Sequence, residues 1–154
     1  MAQELVIYDS VFGNTEKVAQ GIGEALGDAS VKKVNEVNPG DLEDLEILIV
    51  GSPTRGFRPT PAIMNFFKNL PDNALHRLKA AAFDTRIPIE KAEPGFLRFM
   101  IKLFGYADEK IAKQLEKAGA YLALKSTGFG VTGTEGPLED GELERAKNWA
   151  SSIL

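Results

Sequence analysis

Apolar residues fall along this chain in two rhythms, short unbroken runs and longer stretches at helical spacing. Leu5-Val6-Ile7-Tyr8 is too short for a helix and reads as a strand. Beyond the turn Asp9-Ser10-Val11-Phe12-Gly13-Asn14-Thr15, Val18, Ala19, Ile22 and Leu26 recur as one helix face. Gly21 and Gly23 sit inside that helix, where they allow close packing, and Gly27 stops it. Val31 to Val37 is a second strand, and Asn38-Pro39-Gly40-Asp41 opens a brief helical turn through Leu42 and Leu45. Glu46 to Val50 is a third strand, whose continuous Ile47-Leu48-Ile49-Val50 run suits a parallel strand covered on both faces.

After Gly51-Ser52-Pro53-Thr54-Arg55-Gly56-Phe57-Arg58-Pro59, the pattern predicts a helix from Thr60 to Leu70, with Pro61 in its first turn and Ile63, Met64, Phe66 and Phe67 as its packing surface. Lys79 to Asp84 is an alanine-rich fourth strand, small enough for a helix or a ring to approach closely. A long connection from Thr85 then carries the aromatic segment Phe96 to Tyr106. Asp108 to Lys117 is a helix stopped at Gly119. Tyr121 to Leu124 is a fifth strand that either ends there or continues into Phe129 to Val131, and Asp140 to Ile153 is a final helix anchored in the core by Trp149. Strands alternating with helices predict an α/β fold, a doubly wound parallel sheet with helices on both faces.

Composition narrows the chemistry. With 154 residues and 44% apolar content, the chain fills one core, so residues 1–154 read as a single domain. The absence of cysteine removes disulfides, thiolate nucleophiles and cysteine metal sites; His76, the one histidine, reads as a surface residue. Redox chemistry would therefore need a bound organic cofactor or another kind of metal site. A net charge of −4 with no basic stripe argues against nucleic acid as a partner. No apolar run has the length of a transmembrane segment, and the start Met-Ala-Gln-Glu lacks the features of a signal peptide, so the expected location is cytoplasmic.

The turn after the first strand is the candidate site. Unpaired N–H groups at a helix start, joined by Ser10, Asn14 and Thr15, form an anion site that needs no lysine or arginine. It is not a P-loop, because no Gly-Lys-Ser/Thr follows, and the later glycines do not have the dinucleotide-binding spacing. The Ser-x-x-Gly-Asn-Thr loop after a Tyr-ending strand resembles the phosphate-binding loop of the flavodoxins. That resemblance covers nearly the whole chain and implies strand order 2-1-3-4-5, a bound FMN, and ligand at the carboxyl ends of strands one, three and four.

By the same resemblance the cofactor-binding residues are Ser10, Val11, Phe12, Gly13, Asn14 and Thr15 on the phosphate, Pro53, Thr54, Arg55, Gly56 and Phe57 beside the isoalloxazine ring, and Asp84, Thr85 and Arg86 flanking its other side. Gly56 is the residue whose peptide can turn to offer a carbonyl to flavin N5. Phe57 either stacks on the ring or packs into the core. Arg55, Arg58 and Arg86 give the site a basic rim unless acidic side chains pair with them.

The resemblance implies an FMN-binding electron-transfer protein without catalytic residues of its own, serving redox partner proteins. The alternative is an FMN-dependent oxidoreductase on the same fold, similar to a quinone reductase or a protoporphyrinogen oxidase, with Pro94 to Tyr106 as an extra segment near the flavin. A receiver-like phosphoacceptor needs an aspartate at the end of strand three, where this chain has Gly51-Ser52-Pro53. Phe96, Phe99, Met100, Leu103 and Phe104 recur at helical spacing and form either a core-facing helix or a docking surface beside the cofactor, for a protein or a membrane face.

Overall fold

The apolar runs that read as strands pair side by side, with Leu5–Tyr8, Ile47–Val50 and Ala80–Phe83 buried at the centre. In the computed structural model, which describes residues 3–27, 29–92 and 95–154, β1 (Glu4–Tyr8) leads into α1 (Asn14–Leu26), followed by β2 (Ser30–Lys33), β3 (Ile47–Pro53), α2 (Pro61–Lys68) and β4 (Lys79–Arg86). Then come α3 (Gly95–Phe104), α4 (Ala107–Lys117), β5 (Tyr121–Leu122), β6 (Thr127–Gly130) and α5 (Glu142–Ser151). The Met-Ala start, Glu93 and Pro94, the last being the expected first residue of the extra segment, lie outside the described residues. The sheet is parallel in the order β2-β1-β3-β4-β5, with β6 also paired to β4. This is the strand order that the resemblance implies.

Alternate residues of each strand feed two cores. Leu5, Ile7, Leu48, Val50, Ala80 and Ala82 pack with Ile63 and Phe67 of α2 and with Ile111 and Leu115 of α4. On the other face Val6, Tyr8, Ile47, Ile49, Ala81 and Phe83 meet Val18, Ile22 and Leu26 of α1 and Ala146 and Ala150 of α5. Gly21 and Gly23 are packing positions: a Cβ at Gly21 would stand 2.7 Å from Leu143 of α5, and one at Gly23 would stand 2.4 Å from Val31 of β2. Trp149 anchors α5 edge-on to Phe83 and Phe129, and its indole N–H donates to the Lys125 carbonyl at 3.1 Å. His76 is exposed.

Several boundaries differ from the sequence pattern. The second strand stops at Lys33 instead of Val37, because its partner β1 ends at Tyr8, opposite Lys33; Val34–Glu36 turns as a 3-10 helix. The fifth strand is two pieces, β5 opposite Lys79 and Ala80 and β6 opposite Phe83 to Arg86, with a bulging connection between them. β3 and β4 run further than expected, so Pro53 pairs with Thr85 inside the sheet.

α3 is helical, as its spacing predicts, but the core-facing reading of its aromatic stripe is corrected. Phe96, Phe99, Leu103 and Phe104 are 69%, 60%, 63% and 49% exposed, while Leu97 and Ile101 turn inward. The helix lies outside the two packed layers, so only a narrow face of it finds cover.

Candidate functional site

Three loops at the carboxyl ends of β1, β3 and β4 converge on one cleft. At the first, Gly13 takes a left-handed φ of 94° immediately before α1, a conformation glycine adopts without steric cost. Ser10 Oγ accepts the Gly13 N–H at 3.0 Å and closes the turn. No side chain caps the helix, so the N–H groups of Asn14, Thr15 and Glu16 have no hydrogen-bond partner among the described residues and form the positive end of α1. Thr15 is buried, and its hydroxyl shares a 2.8 Å hydrogen bond with that of Thr85, tying the first loop to β4.

The second loop is fixed at its root by buried Ser52, whose Oγ donates to the Pro53 carbonyl at 2.8 Å and accepts the Thr60 N–H at 3.0 Å. At its tip Arg55 and Arg58 exchange backbone hydrogen bonds of 2.8 and 3.1 Å around Gly56 and Phe57, both with positive φ, 55° and 67°. Two left-handed central residues make this a type I′ turn. Glycine suits the conformation; phenylalanine is strained in it. The turn is held because Lys110 donates to the Phe57 carbonyl at 2.5 Å, and the Phe57 ring lies 5.6 Å from that of Phe104.

At the end of β4, Asp84 is fully buried and accepts three hydrogen bonds, from Arg86 Nε at 2.7 Å, Arg86 Nη2 at 2.8 Å and the Asp108 N–H at 2.9 Å. The last of these caps α4. Arg86 also pairs with Asp108 at 2.9 Å and stacks on Tyr106, its Cζ 3.7 Å from the ring centre. Gly128 leaves room for the guanidinium, since a Cβ there would lie 1.9 Å from Nε. Burial pushes the Asp84 carboxyl up to about 6, against the pull of Arg86. Burial also opposes the Arg86 charge, but the Asp84 and Asp108 carboxylates outweigh it and raise its pKa. Arg86 is thus paired, whereas Arg55 and Arg58 form no ion pair among the described residues; Arg55 lies 5.6 Å from the Phe12 ring centre.

Ser10, Val11, Phe12, Asn14, Thr15, Pro53, Thr54, Arg55, Gly56, Thr85 and Arg86 line the cleft. Gly13 shapes its floor through the backbone, Asp84 lies beneath it, and Phe57 turns toward Phe104. Three lining residues had no place in the sequence-based set: Ile87, Val131 and Thr134. The last two come from a fourth loop, held to the first by Asn14 Nδ2 donating to the Glu135 carbonyl at 3.1 Å. The run Gly130-Val131-Thr132-Gly133-Thr134-Glu135-Gly136 carries its own signal, because its three glycines and two threonines mark a loop.

The flavodoxin family model matches residues 6–149, nearly the whole chain. The chain belongs to the flavodoxin family. Solved flavodoxins superpose on it over almost their full lengths. Oxidised flavodoxin 2 from Bacillus cereus does so with a TM-score of 0.75 at 21% identity, covering 99% of this chain and 97% of that one. A flavodoxin from the domain Archaea gives 0.74 at 21% identity, with 97% and 94% covered. A curated relative from Archaeoglobus fulgidus, named NAD(P)H dehydrogenase (quinone), is 30% identical over 96% of this chain and 93% of its own length.

This is an FMN-binding electron-transfer protein of that family. The cleft suits the cofactor: unpaired N–H donors and short hydroxyls at the start of α1 match a phosphate dianion, and residues of the loops after β3 and β4 line the rest of it. Among the described residues no helix is long and apolar enough to cross a membrane, and none group as a metal site.

Proposed function

We propose that FMN sits in this cleft with its phosphate on Ser10–Thr15 and its ring between the Pro53–Phe57 turn and the Asp84–Arg86 end of β4. The exposed face of α3 would be the surface on which a redox partner meets it. The observation that carries this reading is the convergence of three loops, separate in sequence, on one lining. FMN supplies the electron chemistry when bound; the chain binds, orients and shields it. The donors of Asn14, Thr15 and Glu16 hold the phosphate, Gly56 lets its peptide meet the ring edge, and the paired Arg86 keeps the β4 side rigid.

The Archaeoglobus relative favours a second reading, an enzyme that reduces quinones with NAD(P)H. Steady-state assays of the FMN-loaded chain separate the two. A carrier oxidises NAD(P)H only when a flavoprotein reductase is added, whereas sustained turnover with a quinone by this chain alone establishes the enzyme. Replacing both Phe99 and Leu103 by Ser tests the docking surface. The variant should accept electrons more slowly from a reductase while binding FMN as tightly as the parent.

A further inference from the structure

We propose that the outward face of α3 seats on the anionic surface of a lipid bilayer. This rests on the reading of α3 as the docking surface and names what it docks on. Successive residues turn by about 100° around a helix axis. With Leu97 and Ile101 inward, Phe99, Leu103 and Phe96 share the sector that faces away from the protein, and Lys102 and Arg98 follow as a narrow cationic stripe beside them. All five are exposed. Such a contiguous patch of large exposed apolar side chains marks a binding face. It suits a layer that takes up apolar tips while its headgroups meet the cations, with the lysine and arginine stems lying along the apolar zone.

Charge selects the sign of the surface. The whole chain carries −4, yet the segment from Gly95 to Ala107 contains no acidic residue. At its end Lys110 donates to the Phe104 carbonyl at 2.6 Å, and its charge is disfavoured first by burial and then by nearby Arg58. An acidic protein thus turns a basic, apolar edge outward beside its cofactor cleft. Thr54, Gly56, Arg86 and Ile87 line the cleft on one side and share a second pocket with Leu97 and Ile101 of α3 on the other, so seating α3 would bring the cleft mouth to the headgroup layer.

Flotation of the FMN-loaded full chain tests this with vesicles of phosphatidylcholine alone and of two parts phosphatidylcholine to one part phosphatidylglycerol. The chain should float with the mixed vesicles, fail to float with the neutral ones, and be released by salt, which screens the headgroup charge. Phe99→Ser with Leu103→Ser should weaken vesicle binding by roughly tenfold or more. Its thermal midpoint should match the parent because both side chains are exposed. Arg98→Gln with Lys102→Gln should weaken binding to the mixed vesicles as well. A parent chain that stays unbound on mixed vesicles overturns the proposal, as does a serine variant that binds like the parent. A parent that dimerises through this face, becoming monomeric in the serine variant without binding vesicles, also overturns it, with a second copy as the occupant. If vesicles fail but the serine variant still slows reduction by a soluble reductase, the bilayer falls and the docking surface stands.

Discussion

The Arg86 guanidinium lies across the Asp84 carboxylate, with Nε on Oδ1 at 2.7 Å and Nη2 on Oδ2 at 2.8 Å. Asp84 is wholly buried, so removing the arginine leaves a carboxylate with one backbone donor and no counterion. Breaking a buried pair from one side costs about 3–5 kcal/mol. Arg86→Ala should lose stability of that order in urea unfolding. Asp84→Asn should lose less, because Arg86 keeps Asp108 at 2.9 Å and some solvent access. Equal losses would show that the pair does not dominate this corner.

The same carboxyl makes stability depend on pH. Burial raises Asp84 from 3.8 to about 6, so between these values the folded chain holds a proton that the unfolded chain has released. The stabilising contribution is full below the unfolded value and is lost as pH rises through the folded one. The thermal midpoint of the parent minus that of Asp84→Asn should therefore fall as pH rises across this window. A difference that stays flat would place the carboxyl at its ordinary value.

Thr15 and Thr85 join the first loop to β4 through a buried 2.8 Å hydrogen bond. Thr85→Val keeps the shape and strands the Thr15 hydroxyl, at a cost of about 1–3 kcal/mol. It should also weaken FMN binding, since the first loop loses its tie, whereas Thr85→Ser should stay close to the parent in both. Urea unfolding and FMN titration of the two variants check this.

Much of this was legible in the sequence because the signals are local. A strand-turn-helix with Gly13 before Asn14 writes the phosphate loop in consecutive residues, and the Ile47–Val50 run marks a central strand by itself. What was missed depends on distant parts of the chain. The end of β2 is set by where β1 stops, and the break between β5 and β6 by how β4 offers partners. Thr134 reaches the cleft through the contact of Asn14 with Glu135, far along the chain. The aromatic stripe of α3 has the spacing of a core helix; only its place outside the layers turns Phe99 and Leu103 to solvent.

Arg86 is neutralised by Asp84, so the electrostatic effect of the rim falls to the unpaired arginines. Arg55 lines the cleft. A unit charge several Å from the ring contributes on the order of 2 kcal/mol at an effective dielectric of about 20, less once solvent screens it. Arg55→Gln should make the second electron harder to add, lowering that midpoint potential, with a smaller effect at high salt. An unchanged potential at low salt would mean that the side chain points away from the flavin.

The cofactor site depends on a phosphate held at the start of α1. Its most direct measurement is titration of the apoprotein with FMN and with riboflavin, which differ by that phosphate alone, in the parent and in Gly13→Ala. A Cβ at Gly13 meets no protein atom within 4 Å, so the variant should lose only about 1 kcal/mol of stability from its left-handed φ of 94°. The prediction is that the parent binds FMN at least about a hundredfold more tightly than riboflavin, the scale of two or more charge-assisted hydrogen bonds, and that Gly13→Ala narrows this gap. Equal affinities for the two ligands in the parent would contradict the assignment of Ser10–Thr15 to the phosphate.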